Sequence, residues 1–166
     1  MARLYLKKSA GLPLQSDVQT QEIVADMLQK MKDGGEEQAI QFSQDLDGWD
    51  GAIVVPQSQI EDAATRLPEQ MKDDIRYSYE NIRMFAEAQR NSTDDFETEL
   101  RPGLHVGQKV IPMQSAGCYV PGGRYSHVAS ALMSITTAKV AGVADITACS
   151  PPRPGEGVPD AILFAI

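Results

Sequence analysis

The sequence predicts an α/β fold in which a helical amino-terminal segment precedes a parallel β-sheet. Apolar residues recur with the helical period through residues 1–100, whereas residues 101–166 place a helical stretch between short apolar runs. The charge changes at the same point, since residues 1–100 carry 20 acidic and 10 basic side chains and residues 101–166 carry 3 and 5. We therefore expect an acidic helical surface followed by a nearly neutral, buried sheet.

A helix and then a second, short helix are expected early in the chain. Gly34 and Gly35 should stop the first, and Asp47 with Gly48 should stop the second, because glycine ends helices readily. Apolar and small residues at helical spacing form the inward faces, namely Ile23, Val24, Met27, Leu28 and Met31 in the first helix and Ala39, Phe42, Ser43 and Leu46 in the second.

A strand and two further helices are expected next. Residues 52–55 form a short apolar run closed by Pro56, which predicts a strand. Residues 58–61 have the Ser-x-x-Glu spacing of a capping box and predict a brief helix to Leu67. Pro68 suits the first turn of a longer helix. The inward residues of this helix should be Met71, Ile75, Ile82 and Phe85.

The second half of the chain changes to short elements. The acidic residues 91–99 predict an exposed connection, and residues 104–106 should pair with residues 109–112 through a turn at Gly107. Strands, helices and loops then alternate, with strands at 117–120 and 145–149 and helices at 126–141 and 159–166. This order predicts parallel strands joined by a right-handed crossover.

Two parallel strands alone bury their faces poorly, and residues 161–166 are too apolar for an exposed tail. The sequence is therefore expected to be an incomplete domain, truncated inside its second strand–helix unit.

Composition excludes several classes of function. A net charge of −8 excludes sequence-independent nucleic-acid binding through phosphate neutralisation. No run of about 18 apolar residues is present, which argues against a membrane-spanning segment, and the first residues do not have the pattern of a secretory signal. Two cysteines, Cys118 and Cys149, are too few for a disulfide framework. A soluble cytoplasmic protein is expected.

The loop of residues 121–124, Pro-Gly-Gly-Arg, is the first candidate site. Glycine lets a backbone approach a ligand closely, and the amino terminus of the following helix offers unpaired N–H groups to an anion. A plain tight turn explains the same residues equally well. Tyr119 should lie at the carboxyl end of its strand, where ligands bind in open α/β sheets. Its ring is expected either to stack on a cofactor base or to cap the sheet.

The remaining reactive side chains form no recognisable constellation. His105 and His127 have no cysteine, histidine or carboxylate at metal-ligand spacing, so structural roles are favoured for both. Cys118 and Cys149 fall in different predicted strands and are expected to be buried, inert thiols.

Several stretches nevertheless match one known family in order and spacing, namely residues 35–39, 81–85, 117–123, 130–133, 138–143 and 150–152. On these motifs the chain resembles the histidinol dehydrogenase family along nearly its whole length. That resemblance implies an NAD-dependent, zinc-containing homodimer of more than twice this length. Such an enzyme oxidises a primary alcohol through an aldehyde to a carboxylate, with two molecules of NAD.

The resemblance also implies a domain organisation. Each larger domain of the family is an incomplete Rossmann-like α/β unit. Residues 1–100 then form an acidic helical segment of the first domain, residues 101–118 a β connection, and residues 119–166 the truncated start of the second, NAD-binding domain.

By the same resemblance, NAD contacts Tyr119 and Pro121, with Gly122 and Gly123 beside them. The catalytic Glu-His pair and the Gln, His, Asp and His zinc ligands of the family correspond to positions beyond residue 166. No catalytic residue and no metal ligand is therefore assigned in this chain, and the 166 residues alone are expected to be inactive.

Residues 124–130, Arg-Tyr-Ser-His-Val-Ala-Ser, depart from the Lys-Ala-Ala-Tyr-Pro-Ser-Ser-like run usual in histidine biosynthesis. They look like the branch that oxidises (R)-2,3-dihydroxypropane-1-sulfonate, or sulfopropanediol, to sulfolactate. Arg124 and His127 would suit the sulfonate of this substrate. Alternatively, Arg124 faces solvent or meets an NAD phosphate. Two other functions stay open, namely a true L-histidinol dehydrogenase and a non-catalytic, truncated binding or dimerisation module.

Overall fold

The structure is a computed structural model that describes residues 18–122 and 125–166. Helices precede a short parallel sheet, so the predicted fold class is confirmed. The contacts divide the chain into two compact units between Leu46 and Asp47. No helix in the described ranges is long and apolar enough to cross a membrane. The elements are α1 Val18–Asp47, α2 Gln57–Arg66, α3 Glu69–Asn91, β1 Phe96–Arg101, β2 Leu104–Gln108, β3 Ser115–Tyr119, α4 Val128–Val140, β4 Asp145–Cys149 and α5 Asp160–Ala165.

α1 consists of two helices that meet at Gly35, where a φ of 56° and a ψ of −136° interrupt the helical backbone. Glycine adopts a positive φ without the steric cost that a Cβ would bring. The predicted stop at Gly34 and Gly35 is therefore confirmed. Within this unit no described residue of α1 is buried. Most of the apolar face predicted for its first part, including Ile23 and Leu28, is exposed, and Met27 is half-buried.

The strand predicted at residues 52–55 is wrong, since these residues form bends and coil. The carbonyl of Ala52 accepts a hydrogen bond from Trp49 Nε1 at 3.3 Å, so this backbone group has a local side-chain partner instead of a neighbouring strand. The predicted capping box is also wrong. Pro56 occupies the N-cap of α2, and Ser58 lies within the helix.

α3 packs against α4, and its buried stripe differs in part from the predicted one. Ile75 is buried and Ile82 is half-buried, as expected, but Met71 and Phe85 are 42% and 67% exposed. Ala86 is buried instead. Successive helical residues are separated by about 100°, so Phe85 is turned away from the face that Ala86 presents to α4.

β1 and β2 form an antiparallel hairpin that begins within the predicted exposed connection. The expected pairing of residues 104–106 with 109–112 is wrong. The turn lies at Gly103, whose φ of 80° suits a tight turn. Gly107 is paired inside β2, where a Cβ would come within 2.2 Å of the Phe96 carbonyl oxygen. This glycine therefore permits close strand approach and does not make the turn.

β3 and β4 pair in parallel, with Ser115 opposite Asp145 and Tyr119 opposite Cys149. This pairing and the strand, helix, strand, helix order are as predicted, although β3 begins two residues earlier and α4 two residues later than expected. Gly142 follows α4 with a φ of 85° and ends it, also as predicted.

The core of this second unit joins the residue that follows β3 to α4 and α5. Val120, Ala131 and Ile162 are fully buried and contact one another. An apolar groove of about 370 Å³ runs along β4, with Val54 and Leu163 among its lining residues. Among the described residues β4 pairs with β3 alone.

Candidate functional site

Two loops leave the same edge of the parallel sheet. One, residues 120–127, joins β3 to α4, and the other, residues 150–159, joins β4 to α5. The loops start side by side, because Val120 donates its N–H to the carbonyl of Cys149 at 2.8 Å. Carboxyl edges of this kind are where open α/β sheets bind ligands.

The loops touch at Gly122 and Pro151. A Cβ at Gly122 would lie 2.8 Å from Pro151 Cγ and 2.9 Å from the Pro151 carbonyl oxygen. Real Cβ atoms do not approach other atoms this closely, so glycine at this position lets the second loop pack onto the first. Gly122 thus has a structural role in shaping this edge. Gly123 and Arg124, also predicted as site residues, lie outside the described residues.

Tyr119 is the last residue of β3, at the carboxyl edge where the sequence placed it. The residue is 64% exposed, so its ring is accessible to a ligand. Pro121 is half-buried in the loop that follows. Together they give this edge an apolar border, which suits the stacking of a base or another flat group.

The two cysteines differ in their surroundings. Cys118 is buried, as expected, whereas Cys149 is exposed, so the expectation of two buried thiols is wrong for Cys149. β4 is an edge strand within the described residues, and its side chains alternate between half-buried and exposed positions. Cys149 falls on an exposed position of that alternation.

His127 occupies the N-cap of α4, directly before the first helical residue. Its carbonyl accepts the N–H groups of Ser130 at 3.0 Å and Ala131 at 3.3 Å. The imidazole is exposed and makes no capping hydrogen bond among the described residues. It is therefore available to a ligand at this edge, where the sequence placed it as a candidate.

His105 lies elsewhere, on the exposed hairpin. Its Nδ1 is 3.5 Å from Glu97 Oε1 and its Nε2 is 3.8 Å from Glu99 Oε1. A histidine between two carboxylates of the same hairpin fits the structural role favoured for it from the sequence.

Arg153 is a candidate residue that the sequence reasoning missed. It comes four residues after β4, and its Nη2 donates a hydrogen bond to Ser126 Oγ in the other loop at 3.1 Å. Its backbone pairs with Gly157, N–H to carbonyl at 2.8 Å in one direction and 3.0 Å in the other. The signal in the sequence was a single arginine after a strand, within a stretch almost free of acidic residues.

The turn that carries Arg153 is anchored on its other side. Gly157 is buried, and a Cβ there would lie 3.3 Å from the Trp49 ring. Gly155 and Gly157 both have positive φ values, 73° and 81°, which glycine tolerates. The position of Arg153 is thus fixed by backbone pairing and by close packing. Ser150, at the start of the same loop, has a buried Oγ with no hydrogen-bond partner among the described residues.

Within residues 18–122 and 125–166, no three histidine, cysteine, aspartate or glutamate side chains are grouped so that they could hold a metal ion.

Comparison with known proteins gives consistent matches. A family model described as histidinol dehydrogenase matches residues 13–166. A histidinol dehydrogenase homolog of Ruegeria pomeroyi is 53% identical over 161 residues, which cover 97% of this chain and 37% of that protein. A sulfopropanediol 3-dehydrogenase of the same organism is 49% identical over 162 residues, which cover 97% of this chain and 37% of that protein.

A solved structure matches as well. A crystal structure of histidinol dehydrogenase from Elizabethkingia anophelis aligns with a TM-score of 0.83 at 25% sequence identity, over 92% of this chain and 35% of that one. Its fold agrees with a partial Rossmann-like unit here. The chain thus spans 37% of the length of each of the two Ruegeria relatives.

Proposed function

The chain belongs to the histidinol dehydrogenase family, and from that membership we propose that the protein is an NAD-dependent, zinc-containing alcohol dehydrogenase acting on sulfopropanediol. It would oxidise the terminal alcohol of (R)-2,3-dihydroxypropane-1-sulfonate through the aldehyde to sulfolactate. Members of this family are dehydrogenases that act on CH-OH groups. We propose that the protein works as a cytoplasmic homodimer, as the family resemblance implies.

The substrate proposal rests mainly on the 49% identity to a sulfopropanediol 3-dehydrogenase. The run of residues 124–130, which departs from the pattern of histidine biosynthesis, points the same way. In this run His127 lies at the N-cap of α4 with an exposed ring. A cationic or hydrogen-bonding side chain at the amino terminus of a helix suits a sulfonate, since the backbone N–H groups there also favour anions.

The residues at the carboxyl edge of the sheet fit a dinucleotide. Tyr119 offers an exposed ring for stacking on a base, and the loop through Pro121 and Gly122 would lie along the cofactor. When bound, NAD supplies the acceptor for the hydride that leaves the alcohol carbon. The task of this chain is then to bind and orient the cofactor.

The described residues do not fit a zinc ion, because they hold no cluster of three suitable ligands. We therefore assign no step of the reaction to a metal bound by these residues. In the proposed enzyme, zinc would be held by residues outside those described.

L-Histidinol is the second candidate substrate. The family model and the solved structure that match this chain both carry the description histidinol dehydrogenase. The two substrates differ in charge, since sulfopropanediol is an anion and histidinol carries an amine. The positive charge of Arg124 should therefore affect the binding of the two substrates in opposite directions.

The test is an assay of the protein as its gene encodes it, with zinc, NAD and each alcohol in turn. We expect NADH to form with sulfopropanediol, and Arg124→Ala and His127→Ala each to raise the KM for that alcohol. Lys139→Ala, at the opposite end of α4, is the control and should leave this KM unchanged. NADH formation with histidinol but not with sulfopropanediol would overturn the substrate proposal, and no NAD reduction with either alcohol would overturn the enzymatic one.

A further inference from the structure

Arg153 donates fewer hydrogen bonds than another arginine of almost equal exposure in this chain. Its side chain is 35% exposed, almost the same as that of Arg83 at 36%. Arg83 donates three hydrogen bonds to two carboxylates, those of Glu80 and Glu87. Arg153 donates one, to the neutral hydroxyl of Ser126.

Arg153 also forms a loose ion pair with Glu156. Glu156 Oε2 lies 3.9 Å from Arg153 Nη1, beyond hydrogen-bonding distance, and the Glu156 side chain is 72% exposed. A guanidinium group has five N–H donors in a fixed planar fork. In the part of the chain that the structure describes, most of these donors therefore have no acceptor. With 35% of the side chain exposed, these donors are accessible to an anionic ligand from solvent.

The position of Arg153 adds to this observation. The group is held at the carboxyl edge of the sheet by its backbone pairing with Gly157 and by its bond to Ser126 in the neighbouring loop. Between residues 100 and 155 the sequence contains one acidic residue, Asp145, which is the first residue of β4 and so lies at the opposite end of the strand. No carboxylate of that stretch competes for the guanidinium at this edge.

We infer that Arg153 binds a tetrahedral oxyanion at this edge, either the diphosphate of the dinucleotide or the sulfonate of the substrate. The inference rests on the proposed function for the identity of the ligand, and on the unused donors of Arg153 for its chemistry. Guanidinium binds phosphate and sulfonate oxygens through two parallel N–H bonds. Ser126 then acts as the neutral partner that keeps the guanidinium in place before the anion arrives.

Four variants of the protein as its gene encodes it test this assignment. Arg153→Gln removes the charge but keeps an N–H donor for Ser126, and Arg153→Lys keeps the charge without the planar fork. Ser126→Ala removes the neutral partner alone. Arg90→Gln is the matched control, since Arg90 also donates to a neutral oxygen, the carbonyl of Thr93, at the same 3.1 Å distance but away from this edge.

Dissociation constants for NAD, sulfopropanediol and inorganic sulfate are measured by calorimetry, and KM and kcat by NADH formation. We expect Arg153→Gln to weaken the binding of sulfate and of one organic ligand by about tenfold, a typical effect of losing one charge-assisted contact. The KM for that ligand should rise, whereas kcat should stay within about twofold of the wild-type value. Arg153→Lys should recover part of the loss and Arg90→Gln should match the wild type.

The ligand that is affected identifies the anion. Weaker binding of NAD with unchanged binding of the alcohol assigns the diphosphate, and the reverse assigns the sulfonate. If Ser126→Ala and Arg153→Gln lose the same binding affinity, the hydrogen bond between Arg153 and Ser126 has only a structural role and the inference is overturned. Unchanged binding of all three ligands in Arg153→Gln would overturn it as well. If the wild type neither binds nor reduces NAD, the proposed function fails, while the sulfate titration still decides whether Arg153 binds an oxyanion.

Discussion

Arg66 and Asp160 join two helices that are distant in the sequence. Arg66 donates from Nε to Asp160 Oδ2 at 2.9 Å and from Nη2 to Oδ1 at 2.5 Å, so the last residue of α2 holds the first residue of α5. The hydrogen bonds from Arg66, with its positive charge, hold the pKa of Asp160 below its usual value although partial burial opposes this. The same pair raises the pKa of Arg66.

This pair predicts a loss of stability in acid. Because the folded-state pKa of Asp160 is lower than the unfolded value of about 3.9, the ionised carboxylate stabilises the folded chain above about pH 4. The contribution disappears as the pH falls through the folded-state pKa, while Arg66 stays charged throughout. We expect Asp160→Asn to lower the Tm by a few degrees at pH 7 and by progressively less as the pH falls below about 4, measured by thermal unfolding.

Asp73→Asn is the matched control for this experiment. Asp73 also accepts from an arginine, Arg76, at 3.0 Å, but within one exposed turn of α3. Exposed pairs of this kind contribute little, so the control should change the Tm less than Asp160→Asn at pH 7. An Asp160→Asn effect that is equally large at pH 3 and pH 7 would contradict the assignment to an ion pair.

The end of α4 gives a second prediction. Gly142 has a φ of 85°, and a Cβ there would lie 3.3 Å from Pro112 Cγ. Gly142→Ala should lower the free energy of unfolding by about 1–2 kcal/mol, measured in urea, because alanine is strained in this backbone region. Gly142→Asn should cost less, since asparagine tolerates a positive φ while adding the same Cβ. Equal losses in the two variants would assign the effect to contact with Pro112.

The sequence allowed the parallel strands and the helix between them to be predicted closely, because each element there carries its own local signal. Residues 145–149, Asp-Ile-Thr-Ala-Cys, lie between Gly142 and a pair of prolines and read as a strand, and β4 has these bounds. The hairpin was mispredicted because Gly103 and Gly107 are both glycines, and nothing local distinguishes one needed for a turn from one needed for close approach to Phe96.

The candidate site was partly predictable for a similar reason. Tyr119 could be placed because it ends a recognisable strand, and the structure puts it at the carboxyl edge. The position of Arg153 could not be predicted, because its hydrogen bond to Ser126 spans 27 residues and depends on how two loops pack. The contact of Gly122 with Pro151 is likewise a tertiary relationship, and a glycine in the sequence does not indicate which neighbour requires it.

That contact gives a third prediction. Gly122→Ala should force Pro151 away, because the added Cβ would lie 2.8 Å from its Cγ. We expect a loss of about 1–3 kcal/mol in the free energy of unfolding from overpacking, and weaker NAD binding because both loops border the proposed cofactor site. Gly117→Ala in β3 is the control, since nothing lies within 4 Å of its Cβ position. NAD binding unchanged in Gly122→Ala would separate this contact from the cofactor site.

The final prediction concerns the ring of Tyr119. Because the side chain is 64% exposed, its removal should affect stability little. Base stacking on an aromatic ring contributes about 1–3 kcal/mol, so Tyr119→Ala should raise the dissociation constant for NAD by about tenfold in a calorimetric titration. Tyr119→Phe keeps the ring and should stay close to the wild type.

Tyr77→Ala is the control for that titration, since Tyr77 is 72% exposed and lies on α3, away from the carboxyl edge of the sheet. Loss of affinity in Tyr119→Phe as large as in Tyr119→Ala would assign the contact to the hydroxyl group and not to stacking. If Tyr119→Ala binds NAD with the affinity of the wild type, the ring does not contact the cofactor.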